Sequence, residues 1–247
     1  MLKRALTLTA IGLLLSGNVH AQEDNSWLES YNRAAFEFNY QLDRFLLKPI
    51  AKGYRNVTNQ DIRNRVSSAV YNVQEPLVSV NHTLQGSFAK SAKALGRLAI
   101  NSTLGLGGMF DVAEGWGLKK ETTDFDTTLA TWCIPDGPFV VVPLIGLHTP
   151  RSLTGYGLEM AASPLYWATY NNASVRDKLT WGYTAVDTVV VRERNLDFLD
   201  ALEQSSIDFY AASKAMFIQY RQGKNSLCAS KPVEMTYDFD FDMDDDD

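Results

Sequence analysis

The chain is poor in the groups that carry chemistry at neutral pH. Beyond residue 21 it holds two histidines, His82 and His148, on different expected elements, and two cysteines, Cys133 and Cys228. No H-E-x-x-H, G-x-S-x-G or C-x-x-C occurs, so zinc proteolysis, serine hydrolysis on an α/β scaffold and dithiol redox chemistry have no motif to stand on. Gly105-Leu-Gly-Gly108 is followed by no Lys-Ser or Lys-Thr and preceded by no strand, which excludes a phosphate-cradling loop. Asp124 and Asp126 sit at a helix start, where capping and the helix dipole already account for acids. No metal, no cofactor and no enzymatic activity are expected; a secreted hydrolase using His82 or His148 as base is the distant alternative.

Long hydrophobic runs are also missing. After residue 21 nothing approaches the roughly 18 unbroken apolar residues of a spanning helix, so any membrane contact must come from amphipathic segments. Excess charge of one sign is missing from the body as well: the net charge is −6, and the eight acids beyond Pro232 and the two bases Lys3 and Arg4 account for all of it. Nucleic acid is therefore not an expected partner.

What is present begins with a leader. Lys3 and Arg4, the apolar run Ala5 to Leu15 and the small-residue pattern Val19-His20-Ala21 make residues 1–21 a secretory signal peptide. Leu15-Ser16-Gly17 resembles the approach to a lipid-attachment cysteine, but the next residue is Asn18, so export by a cleaved leader without lipidation is expected. Export to an oxidising compartment favours a Cys133–Cys228 disulfide over two buried thiols. Residues 22–225 suit a single helical domain, and residues 226–247 an acidic, disordered tail. That tail alternates carboxylates from Asp238 like the start of a calcium loop. It lacks glycine at the sixth position and ends before a twelfth, which excludes an EF-hand.

The body reads as helices. Ser26-Trp-Leu-Glu29 forms a capping box, and Leu28, Tyr31, Ala35, Phe38, Leu42 and Phe45 line one face of a helix ending before Pro49. Thr58 to Asp61 opens a second helix that Pro76 should stop, with a short piece from Leu77 to Leu84 after it. Ser87 to Asn101 places Lys90, Lys93 and Arg97 in a basic stripe beside an apolar one; this is an ordinary solvated face or a weak candidate for headgroup contact. Further helices are expected from Thr123 to about Cys133, Ser152 to Ala162, Ser174 to Arg194 and Asn195 to about Arg221. Phe139 to Val142 is apolar and β-branched but too short for a helix. Without a partner strand it is expected to be an extended buried segment. The class is all-α.

The whole is organised around Gly96 to Asp111. A helix ends near Asn101, glycines at 105, 107 and 108 permit left-handed backbone, and Asp111 with Glu114 starts the next helix. Its side chains are apolar where a surface bend would be polar, so it either tucks into a core or meets lipid. Asn101, Thr103, Leu104, Gly105, Leu106, Gly107, Gly108, Met109 and Phe110 are the candidate lipid-contacting or gating residues.

With these residues laid out, the chain resembles the MlaA (VacJ) family of Gram-negative outer-membrane proteins. The matching segments are Tyr31-Asn-Arg-Ala-Ala-Phe-Glu-Phe-Asn39, Leu42-Asp-Arg44, Lys48 to Arg55, Asn72 to Pro76, Asn81 with Leu84-Gln-Gly86, Gly96 to Asp111, and Gly137-Pro138 with Val142-Pro-Leu144. The resemblance implies a ring of amphipathic helices in the inner leaflet of the outer membrane, enclosing a channel. It further implies that phospholipids leave the outer leaflet through this channel and pass to a soluble periplasmic lipid carrier, beside an outer-membrane porin trimer. The alternative is a soluble periplasmic lipid-binding protein without membrane residence. Asn18, Asp126, Ala130 and Pro150-Arg151-Ser152 depart from the family pattern.

Overall fold

The computed structural model describes residues 26–228; the leader and the acidic tail beyond Cys228 lie outside the described residues. From Ser26 to Val57 the backbone stays helical, through α1 (Ser26–Leu42), a π turn (Asp43–Leu47) and α2 (Lys48–Val57). Pro49 ends nothing: it follows the π turn, whose Lys48 N–H reaches back to the Asp43 carbonyl, and the backbone continues helical through it. The Glu29 carboxylate takes Arg33 and Lys214, and the capping box expected at Ser26 falls outside the described side chains.

The next helix corrects the reading of Pro76. α3 runs unbroken from Gln60 to Leu84 with Pro76 inside it, capped by the Asn59 side chain on the Ile62 N–H. An internal proline costs a helix about 3 kcal/mol. Here the neighbouring turn is held by a buried ion pair, Glu75 with Arg97, and by packing along α4 (Phe88–Thr103), and that tertiary gain overrides local preference.

After the glycine bend come α5 (Val112–Gly115) and α6 (Phe125–Thr131), capped by Asp111 and Asp124. Phe139 to Val142 is the second correction. Val140–Val142 is strand β1, paired antiparallel with β2 (Gly146–His148) in a small hairpin. The partner was hidden because Gly146-Leu-His148 has no strand composition, and because α1 supplies much of the pairing. Asn32 and Asn39, seven residues apart on one helix face, bond the backbone of Phe139, Val141, Val142 and Leu144 at 2.7–3.2 Å. A helix thus covers the hairpin edge with side-chain amides.

α7 (Pro150–Ala162), α8 (Pro164–Ala168), α9 (Ala173–Arg194), α10 (Leu196–Ser205) and α11 (Phe209–Asn225) complete the chain, with a final 3-10 turn at Ser226–Cys228. The single last helix expected from Asn195 is two helices, because Ser206 is extended and the Asp208 carboxylate caps a fresh start at Ala211. The helices pack as a circuit: α3 touches α9, α9 touches α8, α8 touches α7, α7 touches α6, and α6 returns to α3. A circuit leaves little common interior. Among the largest fully buried side chains only Leu196 and Val141 are apolar, while Trp167, Trp181 and Phe45 are at least 60% exposed.

Polar contacts close the circuit. Asp126 on α6 accepts from Arg151 of α7 and from Arg221 and Lys224 of α11, and Asp136 shares Arg221. Burial works to raise the Asp126 carboxyl, but these three cations hold it far below the usual carboxylate range. Two departures from the family pattern, Asp126 and Arg151, are therefore each other's partners. Cys133 and Cys228 form a disulfide beside this cluster and tie the end of α11 to the end of α6.

Candidate functional site

The bend turns on three glycines with different tasks. Gly108 donates to the Asn101 carbonyl at 2.8 Å and Phe110 to the Gly105 carbonyl at 3.0 Å, closing the loop on itself. A Cβ on Gly105 would lie 2.2 Å from the Phe110 oxygen, and one on Gly108, at φ +92°, 2.4 Å from Asn72 Cβ. Gly107 faces open space and is glycine for its φ of +73° alone. Thr103 bonds back to the Ala99 carbonyl and stays on the helix.

Gly105 and Gly108 lie inward, and Gly107 and the apolar side chains outward. Leu104 is 59% exposed and Leu106 67%, with Met109 and Phe110 also exposed and Phe110 beneath the Arg65 guanidinium at 4.6 Å. The bend is not tucked into a core. It presents a compact apolar surface, and Leu106 holds a positive φ of 51° to do so.

Beneath that surface lies a polar knot. Arg97 donates to Glu75 and Asp111 at 2.8 Å each and to the Leu118 carbonyl; Asn101 donates to Asp111 at 3.0 Å and accepts from the Ala113 N–H. Burial raises the Glu75 carboxyl above its ordinary range. At Asp111 burial pushes the same way, but bonds from Arg97 and Asn101 outweigh it and the carboxyl titrates low. Asn101 thus braces the bend from inside.

Arg97 was expected on a basic surface stripe with Lys90 and Lys93, and the structure separates them. The Arg97 side chain is 4% exposed, because α4 packs on α3 along that flank and Glu75 and Asp111 draw the guanidinium inward. Lys90 and Lys93 are closer to the surface, both paired with Glu121 at 3.0 Å.

Next to the knot is a polar cavity of about 120 Å³ between α3, α4, α5 and the end of α9. Tyr71, Lys120 and Arg194 are among the lining residues to which sequence reasoning gave no role. The Lys120 ammonium stands 2.6 Å from the Tyr71 ring centroid, and Arg194 donates to the Tyr71 hydroxyl at 2.7 Å with its guanidinium 5.2 Å from the same ring. The dipeptide Lys119-Lys120 after Gly117 is a visible signal. Nothing in the sequence links position 194 to 71.

The two histidines stand on different elements. His82 is buried on α3 with both ring nitrogens unpartnered, and His148 faces Ser152, whose hydroxyl closes the capping box of α7 with Thr149. Burial depresses both imidazoles. Among the described residues no cluster of His, Cys, Asp or Glu could hold a metal ion, and no helix is long and apolar enough to cross a membrane.

The family model described as MlaA lipoprotein matches residues 24–224. A protein of Rickettsia typhi is 37% identical over 195 residues, covering 78% of this chain and 75% of its own. The intermembrane phospholipid transport system lipoprotein MlaA of Haemophilus influenzae is 30% identical over 216 residues, covering 85% and 84%. A solved structure from work on the structural basis for maintenance of bacterial outer membrane lipid asymmetry superposes with a TM-score of 0.67 at 28% identity, covering 81% of this chain and 98% of its own. One expectation is corrected: export without lipidation, drawn from Asn18, is overturned by the lipoprotein names of the family and of its Haemophilus, Shigella and Escherichia members. It rested on one tripeptide in a leader whose spacing nothing else fixes. The match of sequence along nearly the whole body, and of fold over most of it, means that this chain belongs to the MlaA lipoprotein family.

Proposed function

We propose that the chain is a non-enzymatic component of intermembrane phospholipid transport that maintains outer-membrane lipid asymmetry. In this reading residues 22–225 act as one unit. It takes phospholipid from the outer leaflet through the helical ring and delivers it to a soluble periplasmic carrier, beside a porin trimer. The observation that carries the reading is the bend: Leu104, Leu106, Met109 and Phe110 exposed together over a buried polar knot, in a chain of this family. Apolar side chains suit acyl tails, and the polar cavity behind them suits headgroups.

The barrier to be lowered is large. Drawing one acyl chain of about 16 carbons through water costs on the order of 12 kcal/mol at roughly 0.8 per CH₂, and a phospholipid has two. A path with an apolar wall and polar groups for the phosphate lowers that barrier without covalent chemistry. Exposed Trp167 on α8, Tyr170 in the turn after it and Trp181 on α9 would seat the outer wall at a lipid interface and favour membrane residence over a soluble lipid-binding protein.

The test is transfer of fluorescent phospholipid between vesicles by the purified protein in mild detergent, with solvent extraction and mass spectrometry of co-purifying lipid. Stoichiometric phospholipid and transfer that falls at least fivefold in Gly107→Ala are expected. A wild type that carries no lipid and transfers none would sink the reading.

A further inference from the structure

Two cations share one aromatic ring beside the cavity, and among the described residues neither is ion-paired. Among the described residues no carboxylate lies within ion-pair distance of Lys120 or Arg194, whereas the other cation of the cavity, Arg97, is matched by Glu75 and Asp111. Those two carboxylates are thus already engaged, and the third acid, Glu114, sits exposed at the rim. Two buried atoms of the same lining lack partners: Ser67 Oγ, in a residue 2% exposed, and Asn72 Oδ1, in one 7% exposed. Buried polar atoms without partners are uncommon.

We propose that Lys120 and Arg194 form a phosphate-binding site, with Tyr71 as the platform that positions both cations. The chemistry fits a phosphate oxyanion: a guanidinium and an ammonium as charged donors beside a polar cavity of about 120 Å³. Tyr71 holds Arg194 through its hydroxyl and Lys120 through its ring face. Burial and the nearby Arg194 charge bring the Lys120 ammonium down to about 8, the mark of a cation that an anion would relieve. The source of the phosphate is a phospholipid headgroup, because Asn72, one wall of the cavity, is packed against Gly108 of the apolar bend. This assignment rests on the transport reading; free phosphate is the other source of the same chemistry.

The experiment is calorimetric titration of the full chain in mild detergent with dihexanoyl phosphatidylglycerol, with dihexanoylglycerol, which lacks phosphate, and with inorganic phosphate. Lys120→Gln and Arg194→Gln should each weaken the phospholipid at least tenfold and leave dihexanoylglycerol unchanged, while the exposed neighbour Lys119→Gln changes neither. Lys120→Arg should keep most of the binding, and Tyr71→Phe, which frees Arg194 but keeps the ring, should lose about threefold; both guard against misfolding as the cause. Inorganic phosphate binding as tightly as the lipid, with the same losses, supports the site and makes free phosphate its ligand. Wild-type affinity for phospholipid in both glutamine variants, or no binding of either phosphate probe to the wild type, overturns the proposal. Transfer between vesicles is read separately, so lost transfer with intact phosphate binding would sink the transport reading and spare the site.

Discussion

Replacing Arg97 with Met tests whether the knot under the bend is the internal support described above. Arg97 and Glu75 side chains are both 4% exposed and meet at 2.8 Å. Removing the cation leaves the Glu75 carboxylate buried and only distantly balanced by Lys120, and breaking such a pair costs about 3–5 kcal/mol. The carboxylate can escape by protonation. From an ordinary value of 4.5, a proton at pH 7 costs about 3.4 kcal/mol, so the loss at pH 7 should be about 3–4 kcal/mol. The sign of the pH dependence follows. A carboxyl raised in the folded state takes up a proton on folding, so the variant gains stability as pH falls towards 4.5, and at pH 5 the penalty should shrink to about 1 kcal/mol. The assay is urea unfolding followed by circular dichroism at pH 7 and pH 5, for the wild type, Arg97→Met, Glu75→Gln and the double variant. The double variant should recover more than half of the loss, since two neutral groups leave no buried charge. A penalty under about 1 kcal/mol at pH 7, or one unchanged at pH 5, would refute the reasoning.

Further outcomes follow from single contacts. Gly107→Ala, in open space but at φ +73°, should cost about 1–2 kcal/mol, and Gly108→Ala, which also collides with Asn72, at least twice that in the same unfolding assay. Removing the Cys133–Cys228 disulfide, which bridges a separation of 95 residues, should cost about 2–4 kcal/mol on double Ser substitution, measured against the oxidised wild type. Burial, and then the neighbouring Asp124, raise the Glu159 carboxyl to about 7, so this group weakens the fold as pH rises from 4.5 through 7. Glu159→Gln should accordingly stabilise at pH 8, on the order of 1–2 kcal/mol after allowance for partial exposure, and do nothing below about pH 4.

The sequence by itself determined the elements whose cause is local. Apolar spacing of three and four defines α1 and α4, and short polar caps such as Asn59, Asp111 and Asp124 fix where helices begin, because a cap acts within three residues of itself. The glycines at 105, 107 and 108 marked the bend for the same reason: φ is a property of one residue. The family was legible because many such local signals recur in one order. What failed were the readings of Pro76, Val140–Val142 and Arg97, each of which needed a distant partner. Pro76 reads as a stop until Arg97, 21 residues later, is seen to hold the turn before it, and Val140–Val142 has no visible partner because two α1 amides finish its pairing. Arg97 reads as surface until Glu75 and Asp111 draw it inward. The tertiary structure alone decided where Lys120 and Arg194 stand. Coulomb energy and burial depend on separation in space, and only the folded chain brings residues 71, 120 and 194 around one ring.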